Sequence, residues 1–182
     1  MKEENLPAGW LTLPEAGMLA ELARDKLVLE LGAYLGRSTV VLARAARHVV
    51  SIDHHRGSPE HQPGGVAFQP NLLSRDGKVD TLPVFMANLA RFGVRDKVSA
   101  LVARIEDIGP LLRTGAFDVV FVDGDHSFQS VRRDGELARR VVRSPGALAF
   151  HDMNWETVKK AVAVLGLGPP KHLIGTLGIW PA

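Results

Sequence analysis

Acidic and imidazole side chains follow two apolar runs in the second half of the chain. FDVVFVDGDHS contains Asp123, Asp125 and His126, and ALAFHDMN contains His151 and Asp152. Oxygen and imidazole ligands of this kind can hold Mg²⁺ or a transition metal, and an imidazole with a pKa of about 6.5 can accept a proton at neutral pH. The pattern predicts a metal site, a general base or both. The alternative is that these residues only cap a helix and hydrogen-bond at strand ends.

A second group of residues lies in VLELGAYLGRS, in the first half of the chain. Gly32 and Gly36 could let the backbone approach a ligand closely, but the third glycine of the dinucleotide fingerprint GxGxxG is missing. Asp53 ends the next apolar run, where its carboxylate could accept hydrogen bonds from both hydroxyls of a ribose. The pattern indicates a nucleoside cofactor without a pyrophosphate. The alternative is that the glycines only permit close helix packing and that Asp53 caps a turn.

The apolar pattern places both groups at the carboxyl ends of strands in an α/β fold. Helices are predicted over residues 13–25, 38–46, 81–92, 107–113, 127–142 and 155–165, and strands over 26–32, 48–53, 97–102, 117–123, 147–152 and 172–180. Because no repeat or linker interrupts this alternation, we predict one domain over residues 1–182, with a largely parallel central sheet and helices on both faces. Ligands of such sheets bind beyond the carboxyl ends of the strands.

Two segments fall outside this alternation. Residues 1–26 form an N-terminal segment that contains the first helix. Residues 54–80 are rich in proline and glycine and have no periodicity, which is typical of a lid, a binding loop or disorder. Val66, Phe68, Leu72 and Leu73 give the second segment side chains to bury, which favours a lid.

Composition and charge argue against several classes of protein. The formal net charge is +2 and the basic residues are scattered, so a nucleic-acid partner has little electrostatic support. The chain has no cysteine, which rules out disulfides and thiolate metal sites. It has neither an apolar signal core nor a run of about 18 apolar residues. We therefore expect a cytoplasmic protein without a membrane partner.

LELGAYLGRS, the acidic strand end at Asp53, GVRDKVSALVARIEDI and FDVVFVDGDH together resemble the cofactor site of class I S-adenosylmethionine-dependent methyltransferases. The nearest likeness is to catechol O-methyltransferase and bacterial small-molecule O-methyltransferases, over residues 27–152. The resemblance implies a Rossmann-like methyltransferase fold and S-adenosylmethionine as cofactor. The residues it would place around the cofactor are Glu30, Gly32, Ala33, Tyr34, Gly36, Ser38, Asp53, His54, Ile105, Glu106 and Asp123.

The resemblance also assigns roles within this set. Glu30, Gly32, Tyr34 and Ser38 would hold the methionine end of the cofactor. Asp53 would bind the ribose. Ile105 and Glu106 would flank the adenine; these two follow the predicted strand over residues 97–102.

The resembled enzymes bind a divalent ion that holds two adjacent substrate oxygens and lowers the pKa of the one to be methylated. By position, Asp123 and Asp152 would be ligands, with His151 as a possible third, and the ion could be Mg²⁺ or a transition metal. His126 falls where the catechol enzymes carry the lysine that takes the hydroxyl proton. Asp123, His126 and Asp152 are thus the expected catalytic residues. Where those enzymes have Asp and then Asn, this chain has His151 and then Asp152, which leaves metal binding open.

We therefore expect an S-adenosylmethionine-dependent O-methyltransferase that acts on a small hydroxylated molecule with help from a divalent metal. A nicotinamide-dependent oxidoreductase is the first alternative, and the missing third glycine argues against it. A non-catalytic S-adenosylmethionine-binding module whose lid serves a partner is the second. A homodimer is left open.

The three tryptophans, Trp10, Trp155 and Trp180, are expected in the core or an interface, although Trp10 could instead form a pocket wall.

Overall fold

A seven-stranded sheet forms the centre of the computed structural model, which describes residues 2–182. Its strands are β1 (Leu27–Leu31), β2 (His48–Asp53), β3 (Val98–Val102), β4 (Phe117–Val122), β5 (Val142–Phe150), β6 (His172–Ile174) and β7 (Leu177–Pro181). They lie in the order β3-β2-β1-β4-β5-β7-β6. The first five pair in parallel, and β7 runs antiparallel to β5 and β6. This confirms the prediction of an α/β fold with a largely parallel sheet.

Helices cover both faces of the sheet. They are α1 (Leu13–Ala23), α2 (Arg37–Ala45), α3 (Leu82–Arg91), α4 (Ile105–Ile108), α5 (Phe128–Val141) and α6 (Glu156–Val164). Side chains of α1, α2 and α3 share one apolar cluster with Val28, and those of α5 and α6 share another with Leu29. Val28 and Leu29 face opposite ways because successive side chains alternate across a strand. Over residues 2–182, the helices are all too short or too polar to cross a membrane.

Three elements differ from the prediction. The strand expected over residues 147–152 is β5, which begins five residues earlier, at Val142. The last strand, expected over residues 172–180, is a hairpin of β6 and β7, and Gly175 in its turn has a φ of +57°. A positive φ of this kind is easily adopted by glycine. The short helix expected over residues 107–113 begins at Ile105 and gives way to a 3-10 turn at Gly109–Leu111. Pro110 lies in that turn, where it has no N–H to continue an α-helix.

Residues 54–80 are irregular but packed against the body of the protein. The segment contains 3-10 turns at Pro59–His61 and Pro70–Leu72 and an isolated bridge between Leu73 and Val79. Leu72 and Val79 are buried, whereas Val66 is fully exposed. The apolar residues thus anchor the segment at its C-terminal half. Whether the segment opens and closes as a lid stays a prediction.

Candidate functional site

A pocket opens at the carboxyl ends of the parallel strands, and most of the residues singled out from the sequence line it. Both groups of residues, the glycine loop after β1 and the acidic and imidazole ends of β4 and β5, contribute to the same wall. Glu30 and Gly36 are not part of the lining. The predicted site residues that do line it are Gly32, Ala33, Tyr34, Ser38, Asp53, His54, Ile105, Glu106, Asp123, His126, His151 and Asp152.

Gly32 permits a close approach between the ends of β1 and β4. Its φ is +91°, and a Cβ at this position would overlap the backbone carbonyl of Asp123. Gly36 has a different function in the fold, because it is the N-cap of α2 with a φ of +88° and a Cβ there would lie 3.0 Å from the ring of Phe85. The first glycine therefore shapes the pocket, and the second lets α2 pack against α3.

Asp53 connects the end of β2 to the glycine loop. Its Oδ2 accepts hydrogen bonds from the backbone N–H groups of Ala33 and Tyr34, at 2.8 Å and 2.9 Å, and its Oδ1 accepts one from His55 at 2.6 Å. An ionised carboxylate offers about four acceptor positions. Asp53 therefore fixes the loop and still has capacity for a ligand hydroxyl.

Glu30 lies behind the glycine loop, inside the protein. It is completely buried, and its two oxygens accept hydrogen bonds from the hydroxyls of Ser38, Thr39 and Ser51 at 2.6–2.7 Å. Burial raises the pKa of Glu30 to about 7, although the three hydroxyls oppose the rise. The structure does not place Glu30 beside the pocket as the resemblance implied, because its side chain points inward and is already bound. It positions Ser38, which does line the pocket.

The strand ends of β4 and β5 bring carboxylates and imidazoles together as predicted. His126 Nε2 lies 2.8 Å from Asp152 Oδ2, and its Nδ1 lies 2.8 Å from Glu60 Oε1. His151 Nδ1 lies 3.2 Å from both Asp123 Oδ1 and Asp152 Oδ2. Each imidazole thus lies within 3.2 Å of two carboxylates.

This arrangement changes the charge of both imidazoles. Burial alone would lower the pKa of His126, but Asp152 and Glu60 together raise it to about 9. Burial likewise opposes the positive charge on His151, and Asp123 and Asp152 overcome it and raise that pKa to about 11. Both side chains are therefore imidazolium ions at neutral pH. The sequence predicted a neutral base at His126, and the neighbouring carboxylates explain the difference.

The same cluster has the donor set of a divalent cation site. One ligand atom each from Asp123, His126 and Asp152 lies within 4.8 Å of the others. Two carboxylates and one imidazole suit Mg²⁺ or a first-row transition metal. The third donor of this set is His126 and not His151, whose Nδ1 faces the two carboxylates and whose Nε2 lies 3.5 Å from Glu15 Oε2. The residues fit a cation provided that His126 gives up a proton.

Glu15 and Glu60 were not found from the sequence. Glu15 accepts hydrogen bonds from the backbone N–H groups of Thr12, at 2.8 Å, and Thr176, at 2.6 Å, and so joins α1 to the β6–β7 hairpin beside His151. The T-x-x-E spacing of Thr12 and Glu15 is a capping-box signal that could have identified it. Glu60 has no such signal, because the bond to His126 joins residues that are 66 positions apart.

Aromatic side chains form a further part of the pocket wall. Trp10, Tyr34 and His61 lie together, with ring centroids 5.3 Å apart for Trp10 and Tyr34 and 4.7 Å apart for Tyr34 and His61. Tyr34 Oη and His61 Nε2 are buried without a hydrogen-bond partner among residues 2–182. Trp155 stacks on His126 at 4.8 Å. Trp10 is 57% exposed and lines the pocket, so core packing is wrong for Trp10 and the alternative of a pocket wall holds. Trp155 is 43% exposed, so it is not a core residue, and its place in an interface stays a prediction.

Residues 29–153 match the family described as a methyltransferase domain. The chain therefore belongs to this family, and its glycine loop and parallel sheet are those of the class I S-adenosylmethionine-dependent methyltransferases. The catechol O-methyltransferase of Mycobacterium tuberculosis (strain ATCC 25618 / H37Rv) is 31% identical over 145 residues, which cover 74% of this chain and 57% of that protein. The chain thus spans less than two thirds of the length of this relative.

Solved structures share the fold. An O-methyltransferase from Bacillus cereus in complex with SAH has a TM-score of 0.68 at 16% identity, over 98% of this chain and 86% of that one. The O-methyltransferase TomG from Streptomyces achromogenes, which is involved in tomaymycin synthesis and was solved with SAM, has a TM-score of 0.60 at 24% identity, over 94% of this chain and 66% of that one. These similarities confirm the Rossmann-like methyltransferase fold.

Proposed function

We propose that the protein transfers the methyl group of S-adenosylmethionine to an oxygen of a small hydroxylated molecule. The observation that carries this proposal is that one pocket is lined both by the glycine loop with Asp53 and by the carboxylates and imidazoles of β4 and β5. A cofactor and an acceptor can therefore meet in it. The name of the mycobacterial relative and the titles of the two solved structures, all O-methyltransferases, support oxygen as the methyl acceptor.

The cofactor would extend along the carboxyl ends of β1 and β2. Gly32, Ala33, Tyr34 and Ser38 would surround the methionine end, and Asp53 would accept hydrogen bonds from the ribose. The adenine would lie beside Ile105, Glu106 and His54 at the far end, with Asp123 near the sulfonium. A dinucleotide fits this loop less well, because the third glycine of its fingerprint is missing.

In the transfer itself, the acceptor oxygen forms a bond to the methyl carbon while the carbon–sulfur bond breaks and S-adenosylhomocysteine is left as a neutral thioether. The pocket would contribute mainly by holding the two reactants in line. The hydroxyl proton has to go to a base, and His126 is the group proposed for this step. Because Glu60 and Asp152 hold His126 as an imidazolium ion, it must lose a proton before it can accept one.

A divalent cation held by Asp123, His126 and Asp152 is the finer part of the proposal, with His151 between the two carboxylates as their internal counterion. Such an ion would supply Lewis-acid activation of the acceptor oxygen. His126 would then contribute a lone pair to the ion instead of accepting the hydroxyl proton. The two roles of His126 therefore exclude each other, and chelation can distinguish them.

The test is an assay of S-adenosylhomocysteine formation over a panel of catechols, simple phenols and aliphatic alcohols, with and without EDTA. If a cation activates the acceptor, EDTA and Asp152→Ala abolish turnover and leave cofactor affinity intact. If His126 is a metal-free base, EDTA has no effect and His126→Ala lowers the maximal rate roughly a hundredfold or more. Asp96 is exposed, and Asp96→Ala serves as the control variant, which should keep wild-type activity.

Three outcomes would contradict parts of this scheme. If the wild-type protein keeps full activity in EDTA, and Asp152→Ala and His126→Ala are also fully active, the cluster of Asp123, His126 and Asp152 is structural. Binding of S-adenosylhomocysteine without turnover on any acceptor would favour a non-catalytic binding module. Binding of NAD would favour an oxidoreductase. The cytoplasmic location stays a prediction, and the oligomeric state is still open.

A further inference from the structure

Asp134 is a buried carboxylate on α5 that has no role in the methyl transfer proposed for this pocket. The side chain of Asp134 is only 2% exposed, yet it belongs to the lining of the pocket. Its hydrogen-bond partner among residues 2–182 is the neighbouring Arg133, whose Nε lies 3.4 Å from Oδ1. Burial raises the pKa of Asp134 to about 6, as expected for a carboxylate with little compensation. A polar group in this position gains free energy from any donor that a ligand brings to it.

The second oxygen of Asp134 lies near Gly124 and Ile105, at the end of the pocket where the adenine is proposed to lie. A Cβ built on Gly124 would lie 3.5 Å from Asp134 Oδ2 and 3.7 Å from Ile105 Cδ1. All three residues line the pocket. Because Gly124 has no side chain, it does not fill the space between Asp134 and Ile105.

A second carboxylate at this end, Glu106, is already engaged. Its Oε1 accepts hydrogen bonds from Arg104 at 2.7–2.8 Å, and its Oε2 lies 3.4 Å from an amino group of Arg133. Asp134 Oδ2 has no comparable partner. Asp125, which also lines the pocket, accepts a hydrogen bond from the backbone N–H of Ser127. Asp134 Oδ2 is therefore the carboxylate oxygen here that is left for a donor on a bound base.

We propose that Asp134 accepts a hydrogen bond from the exocyclic amino group of a 6-aminopurine and determines the specificity of the pocket for adenine. This inference rests on the proposed function, since the adenine is that of the cofactor. Adenine presents an amino donor at C6, where a 6-oxopurine presents a carbonyl acceptor. That carbonyl would face the carboxylate and leave it unpaired, and a buried polar group left unpaired discriminates strongly between ligands.

The test compares S-adenosylhomocysteine with S-inosylhomocysteine by isothermal titration calorimetry. The wild-type protein is expected to prefer the adenosyl compound by at least about thirtyfold. In Asp134→Asn, whose amide can donate to the 6-oxo group as well as accept, the preference should fall to about fivefold or less. Asp134→Ser serves as a second variant should Asp134→Asn misfold. Glu136→Gln, on the exposed side of the same helix, should keep the wild-type ratio.

A wild-type protein that binds both compounds equally, or a ratio that is unchanged in both Asp134 variants, would overturn the inference and leave the proposed function standing. If wild-type protein does not bind S-adenosylhomocysteine at all, the proposed function fails, and the role of Asp134 fails with it. The affinity of the wild-type protein for S-adenosylhomocysteine thus separates the two failures.

Discussion

Asp53 has two tasks in the proposed complex, because the carboxylate that would bind the ribose also holds the glycine loop through Ala33 and Tyr34. Asp53→Ala removes both sets of charge-assisted bonds. We predict that it weakens S-adenosylhomocysteine binding by about 1.5–3 kcal/mol, measured by calorimetry. Asp96→Ala should bind as the wild type does. Unchanged affinity in Asp53→Ala would exclude Asp53 from the cofactor site.

Gly32 is the position where the backbone leaves no room for a side chain. Gly32→Ala would push a Cβ into the carbonyl of Asp123, so we predict a large loss of thermal stability and of cofactor binding. The matched control is Gly77→Ala, which has a φ of +75° but nothing within 4 Å of the added carbon. Both variants carry the strain of a positive φ, roughly 1 kcal/mol. Equal destabilisation of the two would mean that the contact with Asp123 can relax.

The charge of His126 predicts an unusual pH profile for metal-free catalysis. If His126 is the base, only its neutral form is active, and its pKa of about 9 makes that form scarce at neutral pH. The maximal rate in EDTA should therefore rise about tenfold per pH unit up to about pH 8 and level off above pH 9. His126→Ala should lack this inflection. A wild-type rate that levels off near pH 6.5 would show that Glu60 and Asp152 do not hold the proton during turnover.

At the scale of elements, residues 54–80 meet the active-site cluster through a single turn. Glu60 lies in the 3-10 turn Pro59–His61 and contacts His126, while Leu72 and Val79 anchor the other half of the segment. We predict that hydrogen exchange in the N-terminal half is fast in the free protein and slows when cofactor and acceptor bind. Buried β4 should be slow in both states. Exchange that is already slow and unaffected by ligand would indicate a fixed loop.

The elements themselves were largely predictable from local pattern. The continuous apolar runs of β1 and β4 and the glycine at position 32 carry their signal within a few residues, and the ends of neighbouring parallel strands must meet. The C-terminal hairpin was missed because β6 and β7 together have the length and apolar content of one strand. Glycine in the turn, at position 175, is its only local signal.

The site was less predictable than the fold. Glu60 and Asp134 are acidic residues in segments with no motif. Only tertiary packing brings Asp134 into the pocket lining and Glu60 against His126. The charge of His126 also depends on neighbours that the sequence does not identify. Glu30 was assigned to the cofactor from its motif position, whereas its side chain is bound internally by hydroxyl groups. A contact of Glu30 with the cofactor stays a prediction.

For the whole molecule, the shifted pKa values predict a stability maximum on the acidic side of neutral. Burial raises the pKa of Glu30 from 4.5 to about 7, so its protonation favours the folded state and stability falls as the pH rises through this range. The raised pKa values of His126 and His151 contribute stability that is fully present below pH 6.5. These contributions are lost as the pH rises through about 9 for His126 and about 11 for His151. In the other direction, the lowered pKa of Asp152 means that stability is lost in strong acid.

The measurement is Tm by differential scanning fluorimetry between pH 4 and pH 10. Tm should be highest at about pH 5–6 and several degrees lower at about pH 9, because each pKa unit corresponds to about 1.4 kcal/mol and each kcal/mol to roughly 2–4 °C in a domain of this size. Glu30→Gln should flatten the decrease between about pH 5 and pH 7. A wild-type Tm that increases from pH 6 to pH 9 would contradict these signs.

Calorimetric titration of the wild-type protein measures whether one pocket, at the carboxyl ends of β1, β2 and β4, binds S-adenosylmethionine or its product. S-adenosylhomocysteine and NAD would each be titrated under identical conditions. We predict saturable binding of S-adenosylhomocysteine at one site per chain and no heat of binding for NAD. Saturable binding of NAD, or the absence of any binding of S-adenosylhomocysteine, would contradict it.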